Sequence, residues 1–259
     1  GLACSRAFSM QVPVIRGVID RRILVNYRVD PAVLARVLPP PFRPKVVRGV
    51  GMVGICLIRL KNVRPTFLPA WAGLSSENAA HRAAVEWDDE RGGVREGVYI
   101  RRRDTSLWLN AVVGGRLFPG VHHRAVFDVV ERVDRYDIAV RSDDGGVEMR
   151  VRGELAAQIP ESSVFETADE ASAFFERGSL GYSDGFKPSR YQGLELRCQT
   201  WRAEPLAVEE VRSNFFENES LFPKGSIAFD CALLMRGIEH EWHGASELCC
   251  PEAPCKGSC

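Results

Sequence analysis

The sequence predicts a mainly β protein that folds as one large domain with a few short helices. Three observations lead to this prediction. About nine segments have the alternating or continuously apolar pattern of strands, and turn-forming residues separate them at intervals typical of barrels and sandwiches. Strands and helices also do not alternate, which argues against a doubly wound parallel sheet.

The predicted elements follow one another from the amino end. Apolar residues at odd positions from Ile19 to Val29 predict a strand with one buried face. Asp30 and Pro31 suit the cap and first turn of a short helix, which the run of three prolines from Pro39 ends. Thr167, followed three residues later by a glutamate, predicts the start of a second helix over 168–177.

The other predicted elements are taken from the same patterns. The turn residues at 88–93 and 143–146 each predict a connection between two adjacent strands. The pattern at 208–218 is compatible with another short helix, and the proline-rich segment 64–76 predicts a long loop. The predicted strands after the first cover 46–63, 78–88, 94–103, 124–133, 136–141, 147–159, 191–203 and 226–237.

Composition predicts how the chain is organised. Residues 1–13 are interpreted as a flexible leader, 14–247 as the single domain and 248–259 as a Cys-rich flexible tail that holds four of the eight cysteines. Three more cysteines, Cys56, Cys198 and Cys231, lie in apolar stretches and are interpreted as small buried hydrophobes. This is not a disulfide-scaffold pattern, so the sequence predicts a reduced, cytoplasmic protein.

Charge and hydropathy exclude two classes of partner. The 34 basic and 34 acidic residues cancel, whereas nucleic-acid binders and polybasic membrane proteins carry an excess of basic charge. No apolar run reaches the roughly 18 residues that a membrane-spanning helix needs. We therefore expect a small-molecule ligand, with no nucleic acid and no membrane as partner.

One glycine-rich segment carries the densest cluster of chemically capable residues. It contains Arg116, Phe118 and the adjacent pair His122 and His123, between two apolar runs. Loops on a rigid scaffold often carry function. In a strand the two histidines would point to opposite faces, so at most one enters the interior of a barrel. The alternative is that one histidine is solvated and the other is a satisfied core residue.

Glu77 is a second candidate. It ends the proline-rich loop and opens a strand that carries His81 and Arg82. A carboxylate at the mouth of a barrel can orient a cation or act as a general acid or base, and Arg82 is a candidate ligand contact. The alternative for Glu77 is a solvated residue at a strand end. The run from Arg101 to Arg103 is also interpreted as a solvated strand end, with anion binding as its alternative.

The carboxyl-terminal part offers candidate metal ligands. His240 and His243 precede the tail cysteines, and such residues could bind zinc. Their spacing matches no common zinc site. Phosphate-binding loops and the serine-hydrolase Gly-x-Ser-x-Gly pattern are also absent from the sequence. We therefore expect no metal and no cofactor.

Several of these motifs together resemble one family. The resemblance covers about 20–245 and rests on the first strand, Val29-Asp30-Pro31, Val50–Gly54, Val63-Arg64-Pro65, Glu77-Asn78, Leu221-Phe222-Pro223 and Leu233–Trp242. These residues resemble the YqjF-like uncharacterised family (DUF2071) of the acetoacetate decarboxylase-like superfamily. The resemblance implies an antiparallel, cone-shaped β-barrel with an apolar pocket inside, and it is compatible with a homo-oligomer.

The resemblance also shows a departure. Decarboxylases of the superfamily use a Schiff-base lysine beside a second lysine that lowers its pKa. Here the corresponding segment ends in His122 and His123, and imidazole forms no stable iminium. We therefore expect a barrel that binds a small, partly apolar carbonyl or carboxylate compound. Arg116 would hold the acid, either histidine would move a proton and Glu77 would orient it.

Two alternatives remain open from the sequence. In the first, the protein is a non-enzymatic ligand carrier or sensor, and the histidines are incidental. In the second, it is a decarboxylase that uses a displaced lysine, for which Lys187 and Lys224 are the candidates.

Overall fold

The computed structural model describes residues 13–107, 120–185 and 189–249. Most of this part of the chain is in strands, with two α-helices and one 3₁₀ turn at Ala70–Ala72. The helices are α1 (Pro31–Val37) and α2 (Ala168–Glu176). The strands are β1 (Ile15–Val29), β2 (Arg43–Pro44), β3 (Val46–Val47), β4 (Val50–Pro65), β5 (Leu74–Asp88), β6 (Val94–Thr105), β7 (His122–Glu131), β8 (Arg135–Ser142), β9 (Glu148–Leu155), β10 (Leu180–Asp184), β11 (Arg190–Cys198), β12 (Glu204–Ser213) and β13 (Ile227–Cys249).

The strand pairings close the sheet into two rings. One ring runs through β5, β6, β7, β8, β9, β12, β13, β1 and β4. The other runs through β5, β6, β10, β11, β13, β1 and β4. The rings share five strands because β13 and β6 each change partner along their length. Ala232 to Leu234 of β13 pair with β12, whereas its later residues pair with β11.

The mainly β fold with ring closure is as the sequence predicts. The pairings are antiparallel except for two, which both involve β6: its pairing with β10 and its pairing with β7 are parallel. The structure also has three strands that the sequence analysis did not predict, namely β2, β10 and β12, while the predicted segment 46–63 forms two strands, β3 and most of β4. β2 and β10 are short, so they show too few alternations to be recognised from a pattern.

The shared strands are buried on both faces because each ring has its own core. Along β1, residues Ile23, Val25, Tyr27 and Val29 pack into the core of the first ring with residues of β7, β8 and β9. Leu24 packs on the other face with α2 and with Cys231, Leu233, Met235 and Ile238 of β13. The predicted single face is wrong for Ile19, which packs with Leu24, because a register shift lies between Ile19 and Arg21.

Local signals located both helices. Asp30 accepts hydrogen bonds from the backbone N–H groups of Ala32 and Val33 (2.7 and 3.4 Å), and Thr167 accepts one from Glu170 N (3.1 Å). The helix at 208–218 does not form, because residues 208–213 belong to β12, which pairs with β9, and residues 214–217 form a turn. The loop predicted at 64–76 is shorter in the structure, since β4 continues to Pro65 and β5 starts at Leu74. Neither helix in the described residues is long and apolar enough to cross a membrane.

Candidate functional site

The seven-strand ring encloses a cavity with a volume of about 120 Å³. Its walls are largely apolar, with side chains from β4, β6, β11 and β13. A cavity of roughly 150 Å³ admits benzene, so this one has room for a ligand of a few non-hydrogen atoms. The apolar wall residues are Ile58, Leu60, Val98, Ile100, Leu194, Leu196 and Trp242.

Three arginines also line the cavity: Arg22 of β1, Arg82 of β5 and Arg103 of β6. Each donates to a neutral group. Arg22 Nε lies 3.3 Å from Cys56 Sγ, Arg82 donates to the side-chain oxygen of Asn26, and Arg103 Nε lies 3.1 Å from Ser183 Oγ. Within residues 13–107, 120–185 and 189–249, none of the three forms an ion pair.

Burial makes these unpaired charges costly. It is the main reason that the pKa of Arg82 and that of Arg103 fall from 12.5 to about 10, and the charge of Arg22 lowers the pKa of Arg82 further. Arg22 Nη1 and Arg82 Nε are buried and have no hydrogen-bond partner in the described residues. A buried charge without a partner lowers the free energy of unfolding by roughly several kcal/mol. Asp104 also lines the cavity, but its carboxylate accepts hydrogen bonds from Arg102. The three arginines therefore keep positive charge without a counter-ion at the cavity wall, which suits an anion.

His122 lies beside the arginines. It is the first residue of β7, pairs with Arg103 in the parallel ladder and lines the cavity. Burial, and then the charge of Arg103, lower its pKa from 6.5 to about 3, while its Nδ1 lies 3.2 Å from the carbonyl oxygen of Gly120. The imidazole of His122 is therefore neutral at pH 7 in the ligand-free protein.

The two adjacent histidines face different surroundings, as alternation along a strand requires. His122 faces the cavity, whereas His123 Nδ1 lies 3.0 Å from Asp144 Oδ2 and its side chain is about one third exposed (35%). His123 is therefore placed for an ion pair with the 143–146 turn rather than for contact with a cavity ligand.

Glu77 belongs to a different cluster. Its two carboxylate oxygens accept from Arg21 and Arg59, and both arginines also pair with Glu131. Glu77 does not line the cavity, whereas the next residue, Asn78, does. Successive residues of a strand point to opposite faces, so β5 sends Glu77 toward the nine-strand ring and Asn78 toward the seven-strand ring. Glu77 and His122 are thus not brought together.

The remaining candidates divide into placed and unplaced residues. Arg82 lines the cavity, whereas Arg116, Phe118 and Lys187 lie outside the described residues. Lys224 is exposed in a turn before β13. None of the lysines in the described part of the chain lines the cavity, and the other two pair with carboxylates elsewhere: Lys45 with Glu96 and Lys61 with Asp20.

Sequence reasoning missed Arg22, Arg103 and Cys56 as cavity residues. The interpretation of Arg101 to Arg103 as a solvated strand end is wrong for Arg103, because β6 continues there between β5 and β7, and the side chain of Arg103 lines the cavity. A signal was present for Arg22. It directly precedes three consecutive apolar residues, Ile23 to Val25, which occupy both phases of the strand and indicate burial on both faces at this point.

The two carboxyl-terminal histidines do not form a metal site with each other. His240 is buried, with its ring 4.4 Å from that of Trp242, whereas His243 Nε2 lies 2.9 Å from Glu241 Oε2. An odd spacing on β13 places them on opposite faces. In the part of the chain that the structure describes, no group of three or more His, Cys, Asp or Glu side chains is arranged to hold a metal ion.

Comparisons with known proteins agree with this architecture. The model of the DUF2071 family, described as an uncharacterized conserved protein, matches residues 19–234. No curated protein matches the chain. Among solved structures, an acetoacetate decarboxylase from Legionella pneumophila subsp. pneumophila str. Philadelphia 1 is 13% identical, with a TM-score of 0.58 over 95% of this chain and 93% of its own.

Two further solved structures are similar over almost their whole length. An acetoacetate decarboxylase-like enzyme from Sphingomonas wittichii RW1 is 12% identical, with a TM-score of 0.56 over 96% of this chain and 97% of its own. The enduracididine biosynthesis enzyme MppR complexed with pyruvate is 12% identical, with a TM-score of 0.54 over 95% and 93%. Identities this low establish a shared fold.

Proposed function

This chain belongs to the DUF2071 family and has the acetoacetate decarboxylase-like fold, and we propose that its seven-strand ring binds a small monocarboxylate with a short apolar chain. One observation carries the proposal. Arg22, Arg82 and Arg103 line a largely apolar cavity and have no carboxylate partner among the described residues, since Asp104, which also lines it, pairs with Arg102. A bound carboxylate would supply the missing counter-charge and the missing hydrogen-bond acceptors.

The cavity favours a small acid over a large or multiply charged one. Its volume of about 120 Å³ matches a ligand of a few non-hydrogen atoms, and aliphatic walls suit an alkyl or acyl chain. Pyruvate has this size and charge, and one of the solved structures with a similar fold is that of the enzyme MppR complexed with pyruvate. Pyruvate is therefore the first probe.

Proton transfer is a second candidate function, favoured by the position of His122 against Arg103 at the cavity wall. A base with a pKa of about 3 is weak at neutral pH. A carboxylate bound beside it would offset the charge of Arg103 and raise the pKa of His122, so that His122 could exchange a proton with the carbon next to a ligand carbonyl. His123 and Glu77 have other partners and take no part in this arrangement, while Arg116 and Phe118 stay predicted ligand contacts.

Binding is tested by calorimetry with charged and neutral ligands of one shape. Pyruvate and pyruvamide differ in the carboxylate alone, so we expect pyruvate to bind at least about tenfold more tightly. In the Arg82→Met variant the affinity for pyruvate should fall about 10- to 100-fold, because the variant lacks a hydrogen bond to a charged group. The control Arg212→Met changes an exposed arginine and should leave the affinity for pyruvate unchanged. Equal affinity for both ligands, or no binding of either, would overturn the proposal.

Chemistry is tested separately from binding. Exchange of the methyl protons of pyruvate in D₂O, followed by NMR, should be faster with the protein than with His122→Phe if His122 moves a proton. The displaced-lysine decarboxylase is tested by borohydride reduction in the presence of pyruvate or a β-keto acid. We expect no covalent adduct in the intact mass. An adduct that Lys187→Met abolishes would establish the lysine mechanism instead.

A further inference from the structure

Cys56 lies in the same cavity as the three arginines. Its side chain leaves β4 on the face that carries Ile58 and Leu60, and the residue pairs with Ala80 of β5, which pairs in turn with Arg103 of β6. Cys56, Ala80 and Arg103 all line the cavity. Cys56 is only 7% exposed, so reagents reach its thiol through the cavity.

The surroundings of this thiol are cationic. Arg22 Nε donates to Sγ at 3.3 Å, and the interaction with Cys56 offsets part of the fall that burial causes in the pKa of Arg82 and of Arg103. Arg82 is 6% exposed and its Nε lacks a partner in the described residues, so the group beside the thiol is itself short of an anionic ligand.

The other two free cysteines in the described part of the chain have different environments. Cys231 is fully buried, and burial followed by the charge of Asp230 raises its pKa to about 12. Burial also raises the pKa of Cys198. Neither lines the cavity. Cys56 thus combines a place in the wall of the ligand site with neighbouring guanidinium groups.

We propose that Cys56 is a nucleophilic site that forms a thioether with small carboxylates bearing an electrophilic carbon. The proposal rests on the proposed carboxylate-binding function of the cavity. With an α,β-unsaturated acid, the S–C bond forms at the β carbon as the C=C π bond opens, and the thiol proton ends on the α carbon. With a haloacetate, the S–C bond forms as the carbon–halogen bond breaks, and halide and proton leave to solvent.

Two physical effects favour this reaction at Cys56. Clefts lined by one sign of charge raise the local concentration of counter-ions about 10- to 10³-fold. Holding two reacting groups together also replaces a bimolecular encounter with an intramolecular one. Both effects act on anionic electrophiles, whereas a neutral reagent of the same size gains nothing from the charge.

Iodoacetate and iodoacetamide provide that charge comparison on the full chain. Trypsin releases the peptide 49–59, in which Cys56 is the only cysteine, so its alkylation can be followed separately from the tail thiols. We expect iodoacetate to alkylate this peptide at least about tenfold faster than iodoacetamide, as charge focusing implies. Saturating pyruvate should protect it against both reagents, and this measurement needs no variant.

Variants locate the origin of the preference. Arg22→Gln should bring the ratio of the two rates close to one, whereas Arg212→Gln, an exposed arginine paired with Glu217, should leave it unchanged. Cys56→Ser should lose the alkylated peptide. A faster reaction with iodoacetamide than with iodoacetate, or an unlabelled Cys56, would overturn the proposal.

Calorimetry separates the two proposals. If pyruvate binds the wild-type protein while Cys56 stays unlabelled, the nucleophile proposal fails and the carboxylate-binding function stands. If pyruvate neither binds nor protects, and the two reagents react equally, both fail.

Discussion

Replacing Arg103 by methionine should stabilise the ligand-free protein and at the same time remove its response to a carboxylate. Methionine keeps most of the length of the arginine stem without the charge. A fall in the pKa of Arg103 from 12.5 to about 10 means that burial disfavours the charged side chain by about 3 kcal/mol, since each tenfold change in proton affinity is worth about 1.4 kcal/mol.

The substitution also has a cost. It removes the hydrogen bond from Arg103 Nε to Ser183 Oγ, which contributes about 1 kcal/mol. The difference leaves a net gain of about 2 kcal/mol in the free energy of unfolding. For a chain of this size each kcal/mol moves the Tm by roughly 2–4 °C, so the Tm should rise by about 4–8 °C.

Thermal unfolding with and without pyruvate measures both effects. A ligand at one hundred times its Kd stabilises the native state by about 2.7 kcal/mol, so the wild-type Tm should rise on saturation and that of Arg103→Met should rise far less. Arg212→Met, at a side chain that is 68% exposed, should match wild type in both conditions. A ligand-free Tm of Arg103→Met below that of Arg212→Met, with an undiminished response to pyruvate, would refute the reasoning.

Three other outcomes follow from single groups. Burial lowers the pKa of His81 from 6.5 in the unfolded chain to about 3 in the folded protein, so the free energy of unfolding falls as the pH drops below 6.5. In His81→Phe, the pH dependence of this free energy, measured by urea unfolding between pH 6 and 4, should be shallower by about 1.4 kcal/mol per pH unit. An unchanged slope would contradict this. Asp30→Ala removes the cap of α1 and should cost about 1 kcal/mol in urea unfolding; no loss would mean that the cap is not stabilising. Glu77→Gln removes one of the two carboxylates that pair with Arg21, and it should lower the free energy of unfolding in urea by roughly 3 kcal/mol without changing the affinity for pyruvate. Weakened pyruvate binding would place Glu77 in the ligand site.

Elements with local causes could be predicted from the sequence. The Asp30 cap with Pro31, the Thr167 cap and the turn at 143–146 each act within a few residues, and the structure has the corresponding elements there. Alternation likewise predicted that His122 and His123 face different ways. The segment at 208–218 shows the limit of local signals. A helix-compatible pattern there is overridden by pairing with β9, which is distant in the sequence.

The candidate site was only partly accessible to sequence reasoning. His122 was identified from its residue type and from the resemblance, and Arg82 from its residue type and its position on a predicted strand; both line the cavity. Glu77 was identified for the same reasons as His122, yet it forms ion pairs with Arg21 and Arg59 in the other ring. Alternation along a strand indicates which side chains share a face of the sheet, but it does not indicate which other strands or helices pack against that face.

The sequence by itself determined the mainly β class and most of the strands, because period-two patterns and turn residues are local properties of the chain. The family was indicated by the resemblance of its motifs, and the family model confirms it. The tertiary structure alone decided which face of the shared strands becomes a ligand cavity. Arg21 and Arg22 are adjacent and chemically identical, yet Arg21 meets two carboxylates in one ring while Arg22 faces the cavity in the other. The reason is that β13 and β6 exchange partners along their length, and these pairings join residues far apart in the sequence.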